Sequence, residues 1–123
     1  MAQSLYNRLG GYDSIYNVVD EMMKRIEDDG RLAKYFAGHG DDSKQRLRQL
    51  MVEQICQITE GHCFYLGRDM KTVHKGMGIS GSDWQVMKNN LLGAMDSLKV
   101  PDREQQDVLK LLNSMKEDIV ETP

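Results

Sequence analysis

Four stretches of the sequence repeat apolar side chains at three- and four-residue intervals, which is the spacing of an α-helix that buries one face. They cover roughly residues 14–28, 44–59, 82–98 and 102–119, and glycines or a proline lie between them. No stretch alternates apolar and polar side chains as a half-buried β-strand would. The sequence therefore predicts an all-α fold in a single domain, residues 1–123, with four longer amphipathic helices and shorter pieces between them.

The apolar side chains of these predicted helices should form the core. Those of the first long helix are Ile15, Val19, Met22, Met23 and Ile26, and those of the second are Leu47, Leu50, Met51, Ile55 and Ile58. The third contributes Trp84, Met87, Leu91, Met95 and Leu98, and the fourth contributes Val108, Leu111, Leu112, Met115 and Ile119. Short polar side chains are preferred as helix caps. The predicted caps of the first three helices are Asp13 or Ser14, Asp42 or Ser43, and Ser82.

The charge, the apolar segments and the cysteine pattern of the chain argue against several classes of function. The formal net charge is −3 and no long basic tract occurs, which gives no support to nucleic acid or an anionic membrane as a partner. No segment approaches the roughly 20 apolar residues of a membrane span, and the first residues lack a secretory signal. The expected location is the cytoplasm. Cys56 and Cys63 form neither a CxxC pair nor a zinc quartet, so we expect free thiols and no catalytic cysteine.

His74 lies in a glycine-rich segment of about twenty residues, 61–81, with apolar neighbours. A lone histidine is a poor site for zinc or non-haem iron, which need several protein ligands, and on spacing alone a structural role is favoured. Haem changes this argument, because the porphyrin supplies four nitrogens and one neutral imidazole can anchor the iron. The nine methionines fit either an irregular ligand cavity or an ordinary core.

Three segments carry a resemblance to a known family. SLYNRLGGYDSI, VVDEMMKRIEDDGRLAKYF and YLGRDMKTVHKGMGIS follow each other along the chain, and the last aligns Tyr65, Gly67, Met70, His74 and Ile79 in register. In these motifs the chain resembles a group I truncated haemoglobin of the cyanobacterial and protozoan kind. The resemblance implies a truncated globin, a two-over-two helical sandwich around a haem b, with His74 as the iron ligand.

The resemblance also implies which residues contact the haem. Phe36 should pack on the porphyrin, and Trp84 falls where the family usually has Phe beside the proximal face. Further residues expected to line the cavity are Leu32, Met70, Val73, Met77, Ile79 and Leu91. Tyr65, Arg46 and Arg48 are candidates for contacts with the haem propionates.

The distal side departs from the family pattern. Met23 aligns where relatives commonly have the tyrosine that donates a hydrogen bond to bound oxygen. On the opposite helix Leu47, Leu50 and Met51 align where relatives offer Gln or His. A second register, which would turn Gln45, Arg48 and Gln49 towards the iron, is disfavoured because it would bury Glu53. In the favoured register the thioether of Met23 or Met51 is a candidate sixth ligand of the iron.

Three functions follow from these residues. The first is reversible binding of a diatomic gas, O₂, CO or NO, by a monomer with no catalytic residues. Nitric oxide dioxygenase or reductase-like chemistry is a candidate side activity, with an electron-donating reductase as partner. The alternative is a six-coordinate haem protein that transfers electrons or handles nitrogen oxides. A helical interaction domain without a cofactor is the third.

Overall fold

The computed structural model describes residues 4–36, 40–61, 63 and 70–122. Its helices are α1 (Leu5–Arg8), α2 (Tyr12–Asp28), α3 (Asp41–Ile58), α4 (Met70–His74), α5 (Gly81–Ser97), α6 (Asp102–Ser114) and α7 (Lys116–Ile119), and a 3₁₀ turn covers Ala33–Phe36. Within these ranges the chain forms no β-strand beyond an isolated bridge between Ser80 and Thr122. The predicted all-α fold, with long helices α2, α3, α5 and α6, is confirmed.

The helix caps differ from the prediction. Helix α2 begins directly after Gly11, whose φ of 86° lets the chain turn sharply into the helix before Asp13 is reached. Helix α3 likewise follows Gly40 rather than a side-chain cap. At α5 the cap is Ser80, two residues before the predicted Ser82, and its Oγ accepts a hydrogen bond from the amide of Asp83 at 3.0 Å. The left-handed conformation of Gly11 takes the place of side-chain capping at α2, whereas Gly40 at α3 is extended and has no side chain to act as a cap.

Helix α2 lies between α3 and α5 and contacts both. All five of its predicted core side chains are buried. These side chains lie on two different faces of α2. Met22 and Ile26 pack with α5, whereas Met23 packs with Val52 of α3. Neighbouring residues of one helix point about 100° apart, so Met22 and Met23 belong to different halves of the core.

Helix α3 buries other residues than the sequence predicts. Its fully buried side chains are Val52 and Cys56, followed by Thr59 at its C-terminal end. The predicted stripe, Leu47, Leu50, Met51, Ile55 and Ile58, is only half-buried. One face of α3 packs on α2, whereas part of its remaining apolar surface borders a cavity. Side chains on that part are only half-buried because they border this cavity instead of packed side chains. Leu98, predicted to be in the core, is 42% exposed at the end of α5.

The expectation of free cysteines is wrong, because Cys56 and Cys63 form a disulfide. Beyond α3 the chain reverses through Glu60, at a φ of 72°, and the amide of Gly61 donates to the carbonyl of Cys56 at 2.8 Å. This reversal brings the two cysteine Cα atoms to 5.8 Å. A Cβ on Gly61 would lie 2.6 Å from the Cys56 Sγ and 2.6 Å from the ring of Tyr6, so only glycine fits there.

In the ranges above, none of the helices combines the length and the apolar character that crossing a bilayer would require.

Candidate functional site

A cavity of about 380 Å³ opens between α2, α3, the 3₁₀ turn, the segment after α4 and α5. This volume falls in the range of roughly 300–1,000 Å³ typical of small-molecule and cofactor sites. Its wall is formed by Met22, Ile26, Leu32, Tyr35, Leu47, Met51, His74, Met77, Ile79, Asp83, Trp84, Met87 and Ile119. Most of these side chains are apolar. In the part of the chain that the structure describes, Tyr35, His74 and Asp83 are the polar members of this wall.

His74 reaches the wall from the last position of α4. Its Nδ1 lies 2.8 Å from the carbonyl oxygen of Met70, one helical turn earlier. A carbonyl oxygen can only accept, so Nδ1 is the donor, and a neutral ring with this tautomer has its lone pair on Nε2. Fixing one ring nitrogen on a backbone carbonyl orients the imidazole and defines which nitrogen can bind a metal.

The structure brings together many of the predicted site residues. Those on the cavity wall are Leu32, Leu47, Met51, His74, Met77, Ile79 and Trp84. Tyr65 lies outside the described residues, as do the side chains of Phe36 and Val73. Where these three lie relative to the cavity stays a prediction.

Other predicted residues lie away from the cavity wall. Met23 is fully buried between α2 and α3, and Leu91 lies in the core between α2 and α5. Met70 packs against the wall residues Ile79, Trp84 and Ile119 but does not itself line the cavity. Leu50 is half-buried on α3 and does not line the cavity.

The polar side chains of α3 also point elsewhere. Arg48 forms an ion pair with Asp20 of α2, with 3.2 Å between its Nε and the carboxylate, and bonds Gln45 on its own helix. Gln49 donates to the hydroxyl of Tyr12 at 2.7 Å. These contacts hold the second-register side chains, Gln45, Arg48 and Gln49, outside the cavity wall. Arg46, the other propionate candidate on α3, is exposed.

Sequence reasoning missed six wall residues: Met22, Ile26, Tyr35, Asp83, Met87 and Ile119. Four of them belong to the predicted apolar stripes. Their burial could therefore be predicted, but not that they line the cavity. Tyr35 and Asp83 are 48 positions apart, and nothing in the sequence pattern pairs them.

Asp83 and Tyr35 form a polar brace at the edge of the cavity. The Tyr35 hydroxyl donates to Asp83 at 2.5 Å, and the Arg31 Nε donates to the same carboxylate at 2.8 Å. Asp83 is only 4% exposed. The hydrogen bond from Tyr35 and then that from Arg31 lower the pKa of Asp83 to about 2, with a smaller contribution from the charge of Lys34. Burial, followed by the bond to Asp83, raises the pKa of Tyr35 to about 12.

Comparison with known proteins gives consistent matches. A family model described as bacterial-like globin matches residues 4–121. The chain is 35% identical over 113 residues to a group 1 truncated hemoglobin of Nostoc sp., covering 92% of this chain and 93% of that protein. A group 1 truncated hemoglobin of Tetrahymena pyriformis is 25% identical over 118 residues, with 96% and 95% of the two chains covered.

Solved structures agree in fold. The truncated hemoglobin from Tetrahymena pyriformis in its Fe(III) form has a TM-score of 0.89 at 21% identity, covering 96% of this chain and 98% of that one. The 2/2 hemoglobin from Synechococcus sp., solved with covalently attached heme, has a TM-score of 0.87 at 18% identity, with the same two shares covered.

The helical fold and these matches together define a globin. The chain belongs to the bacterial-like globin family and, within it, to the group 1 truncated haemoglobins. Membership in this family implies binding of a diatomic gas at a haem.

Proposed function

We propose that the protein holds one haem b in the cavity described above and binds O₂, CO or NO reversibly, with the Nε2 of His74 as the protein ligand of the iron. The observation that supports this most directly is His74 itself. Among the described residues it is the histidine that lines this mainly apolar cavity, and its Nδ1 is already fixed on the carbonyl of Met70. Haem, when bound, would supply an iron at which a diatomic gas can bind reversibly.

The residues of the cavity fit such a group. A porphyrin is a flat apolar body, and the side chains of Trp84, Ile79 and Leu32 offer it buried apolar surface. Burial of this surface excludes water and favours retention, by about 25 cal/mol for each Å² removed from solvent. A site of protein ligands alone is not available in the described ranges, because no group of three or more His, Cys, Asp or Glu side chains is positioned for a metal ion.

Helix α3 supports the favoured register of the distal side. Leu47 and Met51 are one helical turn apart and both line the cavity. Arg48 and Gln49 are held by Asp20 and Tyr12. We therefore propose that Leu47 and Met51, and not the polar residues of α3, face the gas.

Replacing the proposed ligand tests the function. His74→Gly should lose the Soret band that the wild type shows after haemin is added, because the iron loses its protein nitrogen. Added imidazole should restore the band by entering the vacated space, which separates a lost ligand from a misfolded chain. His62→Gly is the matched control and should bind haemin as the wild type does. Equal haemin uptake by His74→Gly without imidazole would contradict the proposal.

A second candidate function has one observation in its favour. Met51 lines the cavity, and a His/Met pair of axial ligands is typical of haem proteins that transfer electrons. Such a protein would give a low-spin ferrous spectrum without added gas and would use an electron-donating partner. Met51→Leu should then convert the spectrum to high spin, whereas Met95→Leu, a substitution in the core between α2 and α5, should not. A high-spin ferrous wild type would exclude this alternative.

A further inference from the structure

The C-terminal segment of the chain is fastened to the turn that follows His74. The amides of Glu121 and Thr122 donate to the carbonyl of Ile79 at 2.9 and 3.3 Å, and the amide of Gly81 donates to the carbonyl of Thr122 at 2.9 Å. Residues 121 and 122 therefore run alongside residues 79–81, where the isolated bridge between Ser80 and Thr122 lies. We call residues 119–122 the C-terminal strap.

The strap also reaches the cavity. Ile119 is 6% exposed, packs with Ile79 and Trp84 and forms part of the cavity wall. Its position means that the strap closes one side of the proposed haem site. The hydrogen bonds at residues 121–122 thus hold a segment that contributes directly to the cavity.

The side chain of Glu121 makes a separate contact, with the turn formed by residues 76–78. The amide of Gly78 donates to its Oε1 at 2.9 Å. Gly76 and Gly78 have φ values of 83° and 67°, and successive backbone amides in such turns form a concave site for an anion. The hydrogen bond from the amide of Gly78, followed by the nearby backbone amides of Gly76 and Met77, lowers the pKa of Glu121, and the charge of Lys75 adds to this effect.

This turn is joined to His74 through the backbone. The amide of Met77 donates to the carbonyl oxygen of His74 at 3.2 Å. Two hydrogen bonds, joined by the backbone between Met77 and Gly78, therefore link the His74 carbonyl to the carboxylate of Glu121. Loss of the carboxylate would free the amide of Gly78 and loosen the turn at the end of α4.

We propose that Glu121 is a positioning residue for His74: its carboxylate accepts from the amide of Gly78 in the turn at 76–78 and so fixes the end of α4, and the imidazole on it, against the cavity. The effect on the iron rests on the proposed function, in which His74 is the ligand. The contact between the Glu121 carboxylate and the turn at 76–78 does not depend on whether His74 binds iron.

Two variants and one control test the proposal on the full chain as purified. Glu121→Ala removes the acceptor, and Glu121→Gln keeps an acceptor oxygen without the charge. Glu117→Gln, a change at an exposed carboxylate on α7, is the control. The first measurement is hydrogen–deuterium exchange of the Gly78 amide. Because Glu121→Ala leaves the amide of Gly78 without its acceptor, exchange should be several-fold faster in Glu121→Ala, less accelerated in Glu121→Gln and unchanged in Glu117→Gln.

The second measurement follows the ligand itself. The iron–histidine stretching band in the resonance Raman spectrum of the ferrous protein should shift or broaden in Glu121→Ala, and haem should transfer several-fold faster to an acceptor globin. Circular dichroism of the same samples should show an intact helical fold. A substitution that only lowered the overall stability of such a folded protein would leave this band unchanged.

Each result has a stated meaning. Unchanged exchange of the Gly78 amide in Glu121→Ala would overturn the hold on the turn. Faster exchange with an unchanged Raman band and haem transfer rate would overturn the positioning of His74. If the wild type takes up no haem, the proposed function fails and the role towards His74 fails with it, while the exchange experiment still decides whether the carboxylate holds the turn.

Discussion

The buried carboxylate of Asp83 should make the stability of the protein fall as the pH drops from about 4 to about 2. Its pKa is lowered from a usual 3.8 to about 2 by the hydrogen bonds from Tyr35 and Arg31. One pKa unit corresponds to about 1.36 kcal/mol, so a difference of nearly two units corresponds to about 2 kcal/mol of folding free energy. Because the carboxyl is only 4% exposed, little of this is lost to solvent screening.

The direction follows from proton binding. The unfolded chain binds a proton at Asp83 near pH 3.8, whereas the folded protein resists it until about pH 2. The contribution is therefore complete above pH 3.8 and disappears as the pH falls through the folded pKa. Asp83→Asn should lose this contribution, and it should be less stable than the wild type at pH 7 by about 2 kcal/mol, because Arg31 and Tyr35 lose a charged acceptor.

Urea unfolding followed by far-ultraviolet circular dichroism at pH 7, 4, 3 and 2 measures both effects. The free energy of unfolding should depend less on pH in Asp83→Asn than in the wild type. Asp118→Asn, at an exposed position on α7, should keep the wild-type dependence. If Asp83→Asn and the wild type lose stability equally between pH 4 and pH 2, the brace between Asp83, Tyr35 and Arg31 contributes nothing and the reasoning is refuted.

Three further predictions concern the cavity, the disulfide and the core. Leu47→Gln places an amide donor on the cavity wall and should slow O₂ release by about tenfold or more while changing CO release little. Flash photolysis measures both rates. Leu50→Gln, at a position that does not line the cavity, should change neither rate. Cys63→Ser opens a loop whose ends are 7 positions apart and should cost about 2.5 kcal/mol, and a thiol assay of the unreduced wild type should find no free thiol. Met95→Ala, at a site 1% exposed, should cost about 2–5 kcal/mol in urea unfolding, whereas Leu98→Ala should cost far less.

The sequence determined the features that depend on local periodicity and motif. The apolar stripe of α2 was predicted residue by residue, because a helix that packs on both sides must bury every member of it. The sequence MKTVHKGMG, together with the family resemblance, predicts His74 as the iron ligand in a glycine-rich segment with apolar neighbours, whereas the short helix that carries it was not predicted.

Only the tertiary structure decided what each buried side chain faces. Met22 and Met23 are adjacent and equally apolar, and their assignment to the cavity and to the α2–α3 core depends on where α3 and α5 pack. The disulfide depends on the chain reversal at Gly61, which cannot be predicted from the spacing of the two cysteines. The contact of Asp83 with Tyr35 and Arg31 spans 48 and 52 positions. Periodicity reports whether a side chain is buried, but its partner is set by how distant helices pack, and that information is not local in the sequence.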